Sequence, residues 1–162
     1  NIVNNGSRSL SMMSEAEFSN KSFPKKWSKK EVIGHLIDSA INNLNRFTAA
    51  ACGGSFRFSR YNQDHWVEVN DYSNRQSKEL IELWVAVNTH IAKLVSKIPK
   101  KVLLEQTSDH NFDEICMLMV EKGSKSSLSY LIWDYIYHLE HHLAQIISTY
   151  DYELNNFEEG QG

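Results

Sequence analysis

Cysteine is scarce in this 162-residue chain: there are two, Cys52 and Cys116, and they form no C-x-x-C pair. That argues against a disulfide scaffold or a thiolate zinc site, and both thiols are expected to be plain buried or half-buried groups. No apolar run approaches the roughly 20 residues of a membrane span. The longest, around Tyr130 to Tyr137, is interrupted by Asp134. Positive charge is also short: the formal net charge is -3, so no global field recruits nucleic acid or an anionic membrane face. The opening Asn-Ile-Val-Asn-Asn-Gly lacks the charged, apolar and small-residue sections of a secretory signal, which makes the cytoplasm the expected address.

What remains, 41% hydrophobic and 23% charged residues, is an ordinary globular composition with enough length for one core. A single domain over residues 1–162 is expected. Prolines and glycines punctuate the chain at Pro24, Gly53-Gly54, Pro99 and Gly123, and the segments between them carry helical spacing. The clearest start is Trp27-Ser28-Lys29-Lys30-Glu31-Val32, where Ser28 and Glu31 make a capping box and Trp27 can staple onto Val32. It opens a helix over 28–51, with Val32, Leu36, Ala40 and Phe47 inward and Ile33, Ile37 and Leu44 beside them.

The pattern predicts further helices over 3–18, 73–98 and 127–150. The second of these starts near Ser73 and repeats Leu80, Trp84, Val87, Ile91, Leu94 and Ile98. The last buries Leu128, Ile132, Ile136, Leu139, Leu143, Ile146 and Tyr150. Two long connections, 55–72 and 100–125, are of a size that covers or builds something. The first is expected to hold a helical turn, and Ile115 to Val120 in the second reads as a short strand or an apolar plug. Four helices with a long connection form an all-α bundle that can host a metal between facing helices.

The informative segment is Tyr137-His138-Leu139-Glu140-His141-His142-Leu143. Residues four apart on a helix stand one turn above each other, so His138 and His142 can turn both imidazoles to one ion at the edge of the apolar stripe. His141, about 100° from His142, is expected to point to solvent. The segment is not the zinc-protease H-E-x-x-H pattern, because Glu140 rotates to about the opposite face. A third ligand is needed from another helix. His35 fits, because His35, Ser39, Asn42 and Arg46 form a polar stripe along the edge of the 28–51 helix. His65, His90 and His110 fit less well. Spacing alone leaves the alternatives open: a lone histidine by a core is often hydrogen-bonded architecture, and a histidine pair also suits a solvated face.

Trp27-Ser28-Lys-Lys-Glu31-Val-Ile-Gly34-His35-Leu36-Ile-Asp38-Ser39 resembles the W-S-x-x-E-x-x-x-H-L-x-D-S opening of DinB/YfiT-like proteins. The stretch from Ser127 to Ile146 resembles their closing helix with its H-x-x-H-H-x-x-Q-I ending, and Tyr61-Asn-Gln-Asp-His-Trp66 is similar to their aromatic segment between the second and third helices. The resemblance covers most of residues 20–150. It implies an up-down-down-up four-helix bundle with one metal ion on His35, His138 and His142, zinc or nickel being the usual expectation. It also implies an enzyme, because the family includes metal-dependent hydrolases and thiol S-transferases that use bacillithiol, mycothiol or glutathione.

Two chemistries suit an open tris-imidazole site: transfer of a low-molecular-weight thiol to a small electrophile, which is favoured, and hydrolysis of a small ester or amide. Asp38, Asp64 and Tyr135 are the candidates to orient groups or relay protons. No general base for hydrolysis can be named. A third reading is a metal-stabilised binding or stress-response module without turnover. The expected partner is a small-molecule substrate, with neither nucleic acid nor membrane, and the outer helix faces leave room for a homodimer.

Overall fold

The computed structural model describes residues 2–153. Eight α-helices follow in order: α1 (Ile2–Ser11), α2 (Glu15–Ser19), α3 (Lys29–Ala51), α4 (Gln63–Val69), α5 (Ser77–Val95), α6 (Lys100–Leu104), α7 (Phe112–Ile115) and α8 (Leu128–Ile146). A 3-10 turn at Tyr72–Asn74 precedes α5. The described residues contain no strand, only isolated bridges at Phe56–His110 and Thr107–Ser126. None of their helices is long and apolar enough to cross a membrane. α1, α3, α5 and α8 build a four-helix bundle in which α3 packs on both α5 and α8, and α1 lies on α5.

The central helix, α3, has the expected bounds because its ends are written locally. Ser28 accepts from Glu31 N while Glu31 accepts from Ser28 N at 2.7 Å, which closes the capping box. The far end stops where Gly53 takes a φ of +79°, the left-handed conformation in which glycine has no Cβ penalty. Between these ends Ile33, Leu36, Ile37, Ala40 and Phe47 are buried, and so are His35, Asp38, Asn43 and Arg46. Leu44 is only half-buried.

The other predicted helices need correction. The single helix expected over 3–18 is two, because Ser14 and Glu17 form a second capping box that starts α2 afresh. The helix expected over 73–98 begins at Ser77. Gln76 gives it no side-chain cap; instead the Glu15 carboxylate of α2 accepts from the Ser77 backbone N–H and hydroxyl, while Lys30 of α3 pairs with the same carboxylate. The last helix ends at Ile146 rather than Tyr150. Its buried face is also rotated from expectation: Leu131, Asp134, Tyr135 and Glu140 are buried, whereas Ile132 and Ile136 are half-buried.

The two long connections are pinned to each other. Asn111 accepts from Phe58 N and donates to Phe58 O, both at 2.9 Å. The first connection holds α4, capped by Asn62, and its 3-10 turn presses the Tyr72 ring against α3 at Gly34. A Cβ on Gly34 would stand 2.0 Å from that ring. In the second connection Ile115 to Val120 is neither a strand nor a plug. The backbone N–H groups of Met117 and Leu118 donate to Asp134 on α8 at 3.1 and 2.8 Å, which takes donors that a ladder would need. Met119 is 72% exposed and Cys116 is buried; Cys52 is exposed.

Candidate metal centre

α3 and α8 meet so that His35, His138 and His142 converge. One ring nitrogen from each lies within 4.8 Å of the other two. The Nε2 atoms of His35 and His138 are 3.0 Å apart, and the ring centroids of the three are 4.6 to 5.0 Å apart. The one-turn spacing of His138 and His142 and the edge position of His35 bring them together, as the two patterns expect. Trp27, at a centroid distance of 5.0 Å, covers the His35 ring from outside.

The electrostatics suit lone-pair donation. Burial, and then the neighbouring His142, push the His35 pKa down to about 3. Burial is also the largest cause holding His138 well below its ordinary value, with the three other imidazoles adding to it. His142 is lowered by burial as well. All three rings are therefore neutral at pH 7, the form that binds a metal.

Four-coordinate nitrogen ligands about 2.0–2.1 Å from an ion stand about 3.3 Å apart, close to the His35–His138 separation. Gln145 fixes the third ring: its Oε1 takes the His142 Nδ1–H at 3.0 Å, which leaves Nε2 of His142 unprotonated. The donor set thus fits a divalent ion. Behind His35 and His138 the described residues offer no such support: both buried Nδ1 atoms lack a hydrogen-bond partner among them.

His141 is not turned out to solvent. It is half-buried, and its Nε2 accepts from Gln145 Nε2 at 2.9 Å. The reason is an adjoining cavity of about 360 Å³, whose wall replaces the open water expected beyond the helix edge. His138, His141 and His142 form one end of it; Asn43, Arg46, Tyr61, Cys116 and Asp134 are among the residues that line the rest.

Of the residues proposed to move protons, Tyr135 is on this wall, but its hydroxyl donates to Asn88 Oδ1 at 2.6 Å. Burial and the Tyr61 field raise its pKa, and the Asn88 bond lowers it. Asp38 is buried away from the cavity and accepts from Tyr72 OH at 2.6 Å and from Asn70 Nδ2 at 3.1 Å. Burial raises its pKa. Asp64 is exposed on α4 and does not line the cavity.

Sequence reasoning missed Asn43, Cys116, Asp134 and Gln145 as site residues. For Asn43 the polar stripe of α3 was the signal, but the buried residue is Asn43 while Asn42 is half-buried, although each amide donates to the carbonyl four residues earlier, Ser39 O and Asp38 O. Cys116 carried no spacing signal. Its thiol is pushed far up by burial and by Asp134, so it is a protonated wall residue.

A family model described as the DinB superfamily matches residues 7–146. No curated protein matches the chain in sequence. Among solved structures, YfiT from Bacillus subtilis, described as a probable metal-dependent hydrolase with an unusual four-helix bundle topology, aligns with a TM-score of 0.69. The two are 16% identical over 91% of this chain and 80% of that one. The mycothiol-dependent maleylpyruvate isomerase aligns with a TM-score of 0.66 at 16% identity, over 89% of this chain and 55% of its own. A histidine-to-alanine variant of that isomerase aligns equally well, at 15% identity. This chain thus spans about half the length of the isomerase. Likeness at such identities speaks for a common bundle fold, while the match to the family model covers most of the chain: it belongs to the DinB superfamily.

Proposed function

We propose that the protein is a metal-dependent enzyme that transfers a low-molecular-weight thiol to a small electrophile, with His35, His138 and His142 holding one divalent ion, zinc or nickel by donor type. The observation that carries this reading is the convergence of three neutral imidazoles, His35 buried and His138 and His142 half-buried, at the end of an open cavity. A cavity of about 360 Å³ is in the range that takes a small molecule. When bound, the ion would supply Lewis acidity, lowering the pKa of a thiol so that it reacts as thiolate near pH 7.

The protein's own groups supply the rest. Gln145 holds His142 in the tautomer whose Nε2 keeps its lone pair. Trp27 shields His35 from water. The cavity wall positions the electrophile against the thiol sulfur; a bond from sulfur to the electrophile forms, the leaving group departs with its electron pair, and the thiol proton is released. Thiol transfer is favoured over hydrolysis by Asp134. This buried carboxylate on the wall has both oxygens engaged by backbone N–H groups and is not free to activate water.

A second reading, hydrolysis of a small ester or amide, has one observation in its favour. His141 places a further imidazole on the cavity wall beside the cluster, where it can serve as a base once its Nε2 is released from the Gln145 amide.

Incubating metal-loaded protein with a panel of thiols plus monochlorobimane, and separately with esters, divides these readings. Thiol-dependent conjugation above a His138→Ala control supports the first, and ester turnover alone supports the second. No rate above the control in either panel would leave a binding or stress-response module without turnover.

A further inference from the structure

The cavity holds a cation that the imidazole cluster does not use. Arg46, from α3, is 9% exposed, and its guanidinium spends two contacts on neutral acceptors, Asn43 Oδ1 at 3.5 Å and Ser59 O at 3.1 Å. A guanidinium has five N–H donors. Among the described residues no carboxylate forms an ion pair with it. Asp134 on the same wall is committed to the Met117 and Leu118 amides, and Glu114, at the exposed rim, accepts from Asn111.

Buried charges are normally paired, because an uncompensated ion loses its hydration. Burial is the largest influence on this group and disfavours its charged form. An arginine nonetheless stays protonated, helped by the nearby charge of Asp134, which forms no ion pair with it, and an entering anion recovers the remaining cost. Arg60 also lines the cavity and is exposed, adding a second positive group that can guide an anion in.

We propose that Arg46 is the carboxylate-binding subsite of this cavity, so that the molecule processed at the imidazole end carries a carboxylate. The planar fork of the guanidinium matches the two oxygens of a carboxylate. The inference rests on the cavity being the substrate site, but not on the presence of the ion.

The test is made first on metal-stripped, full-length protein, by calorimetric titration with succinate against neutral succinamide. Succinate should bind one per chain, and succinamide at least tenfold more weakly. Arg46→Gln should lose at least tenfold in succinate affinity. In case that variant does not fold, Asn43→Asp places a carboxylate beside the retained guanidinium; it should abolish succinate binding by supplying an internal counter-ion. Equal binding of succinate and succinamide, or Asn43→Asp binding succinate as the parent does, overturns the proposal.

So does succinate binding seen only after metal loading and lost in His138→Ala, since the anion then goes to the ion. That outcome would leave the metal reading intact. Conversely, binding by stripped protein that takes up no metal sinks the metal reading and keeps the subsite. A final arm compares mercaptosuccinate with succinate on loaded protein: tighter binding of the thiol places the carboxylate on the thiol substrate, and equal binding places it on the electrophile. Both results support the subsite.

Discussion

His35 on α3 and His138 on α8, 103 residues apart in the chain, bring their Nε2 atoms to 3.0 Å, and His142 completes a cluster within 4.8 Å. Three converging lone pairs on neutral rings repel one another unless a proton or a cation lies between them. Untagged protein is accordingly expected to carry close to one first-row metal per chain by elemental analysis. His35→Ala and His142→Ala should each lose it, since two ligands rarely hold a full site. His141→Ala should keep it, because His141 is outside the cluster. A metal-free parent, or a His141→Ala variant as depleted as His142→Ala, would contradict the assignment.

Gln145 joins two of these rings, accepting from His142 Nδ1 and donating to His141 Nε2. Outer partners that fix a ligand's tautomer are typically worth about 10–100-fold in metal affinity. Gln145→Ala should therefore weaken metal binding by roughly that factor in a chelator competition. The melting temperature of the metal-free form should barely move, because Gln145 is exposed. A large fall in that melting temperature with unchanged metal affinity would show that Gln145 only holds the helix end.

Metal-free protein should lose stability as pH falls below about 6.5. The sign follows from burial: His35 has its folded pKa lowered to about 3, so below about 6.5 the unfolded chain takes a proton that the native state refuses. Between pH 6.5 and 5 this one ring costs about 2 kcal/mol, and His138 and His142 act in the same direction. Asp38 and Asp134 oppose it. Burial raises their folded pKa values, so their contribution is complete at acid pH and is lost as pH rises through those values. Denaturant titrations at pH 7, 6 and 5 should show the net fall, and His35→Phe should flatten it. An equally steep His35→Phe profile would remove the His35 ring as its cause.

Where an element's ends are fixed by its own neighbours, the sequence was enough. α3 could be read to its ends because Ser28, Glu31 and Gly53 act within one turn. The Ser14–Glu17 capping box carried an equal signal and splits the first helix. It was hidden by an apolar pattern in Leu10, Met13 and Phe18 that continues across the break. The start of α5 could not be read locally, because its capping carboxylate, Glu15, comes from 62 residues earlier. The same division holds at the site. Helical spacing revealed His138 and His142, and the edge of a stripe revealed His35. The cavity beside them joins Arg46 of α3, Cys116 after α7 and Asp134 of α8, a meeting made by tertiary packing that no periodicity reports.

Tyr135 tests how far a wall residue matters to chemistry. Its hydroxyl is buried against Asn88, so Tyr135→Phe leaves the Asn88 oxygen without that donor and should cost about 1–3 kcal/mol of stability. Turnover per metal-loaded molecule should stay within a few-fold of the parent. A drop of a hundredfold or more at full metal occupancy would instead place the hydroxyl in the proton path.

Gly34 precedes His35 and lies under the Tyr72 ring, where a Cβ would come within 2.0 Å of Tyr72 Cδ2. The ring cannot simply swing away, since its hydroxyl is held by Asp38 at 2.6 Å and the residue is buried. Gly34→Ala should thus cost about 1–3 kcal/mol through overpacking, in spite of the better helix propensity of alanine, which returns at most about 1 kcal/mol. If the clash is the cause, Tyr72→Ala, itself destabilising, should make room, and adding Gly34→Ala to it should cost little or even stabilise. Denaturation midpoints of the two single variants and the double variant decide the point. Additive losses would mean that the strain lies in α3 rather than against the turn. Metal content should follow the same pattern, because displacing α3 at Gly34 moves His35 away from His138.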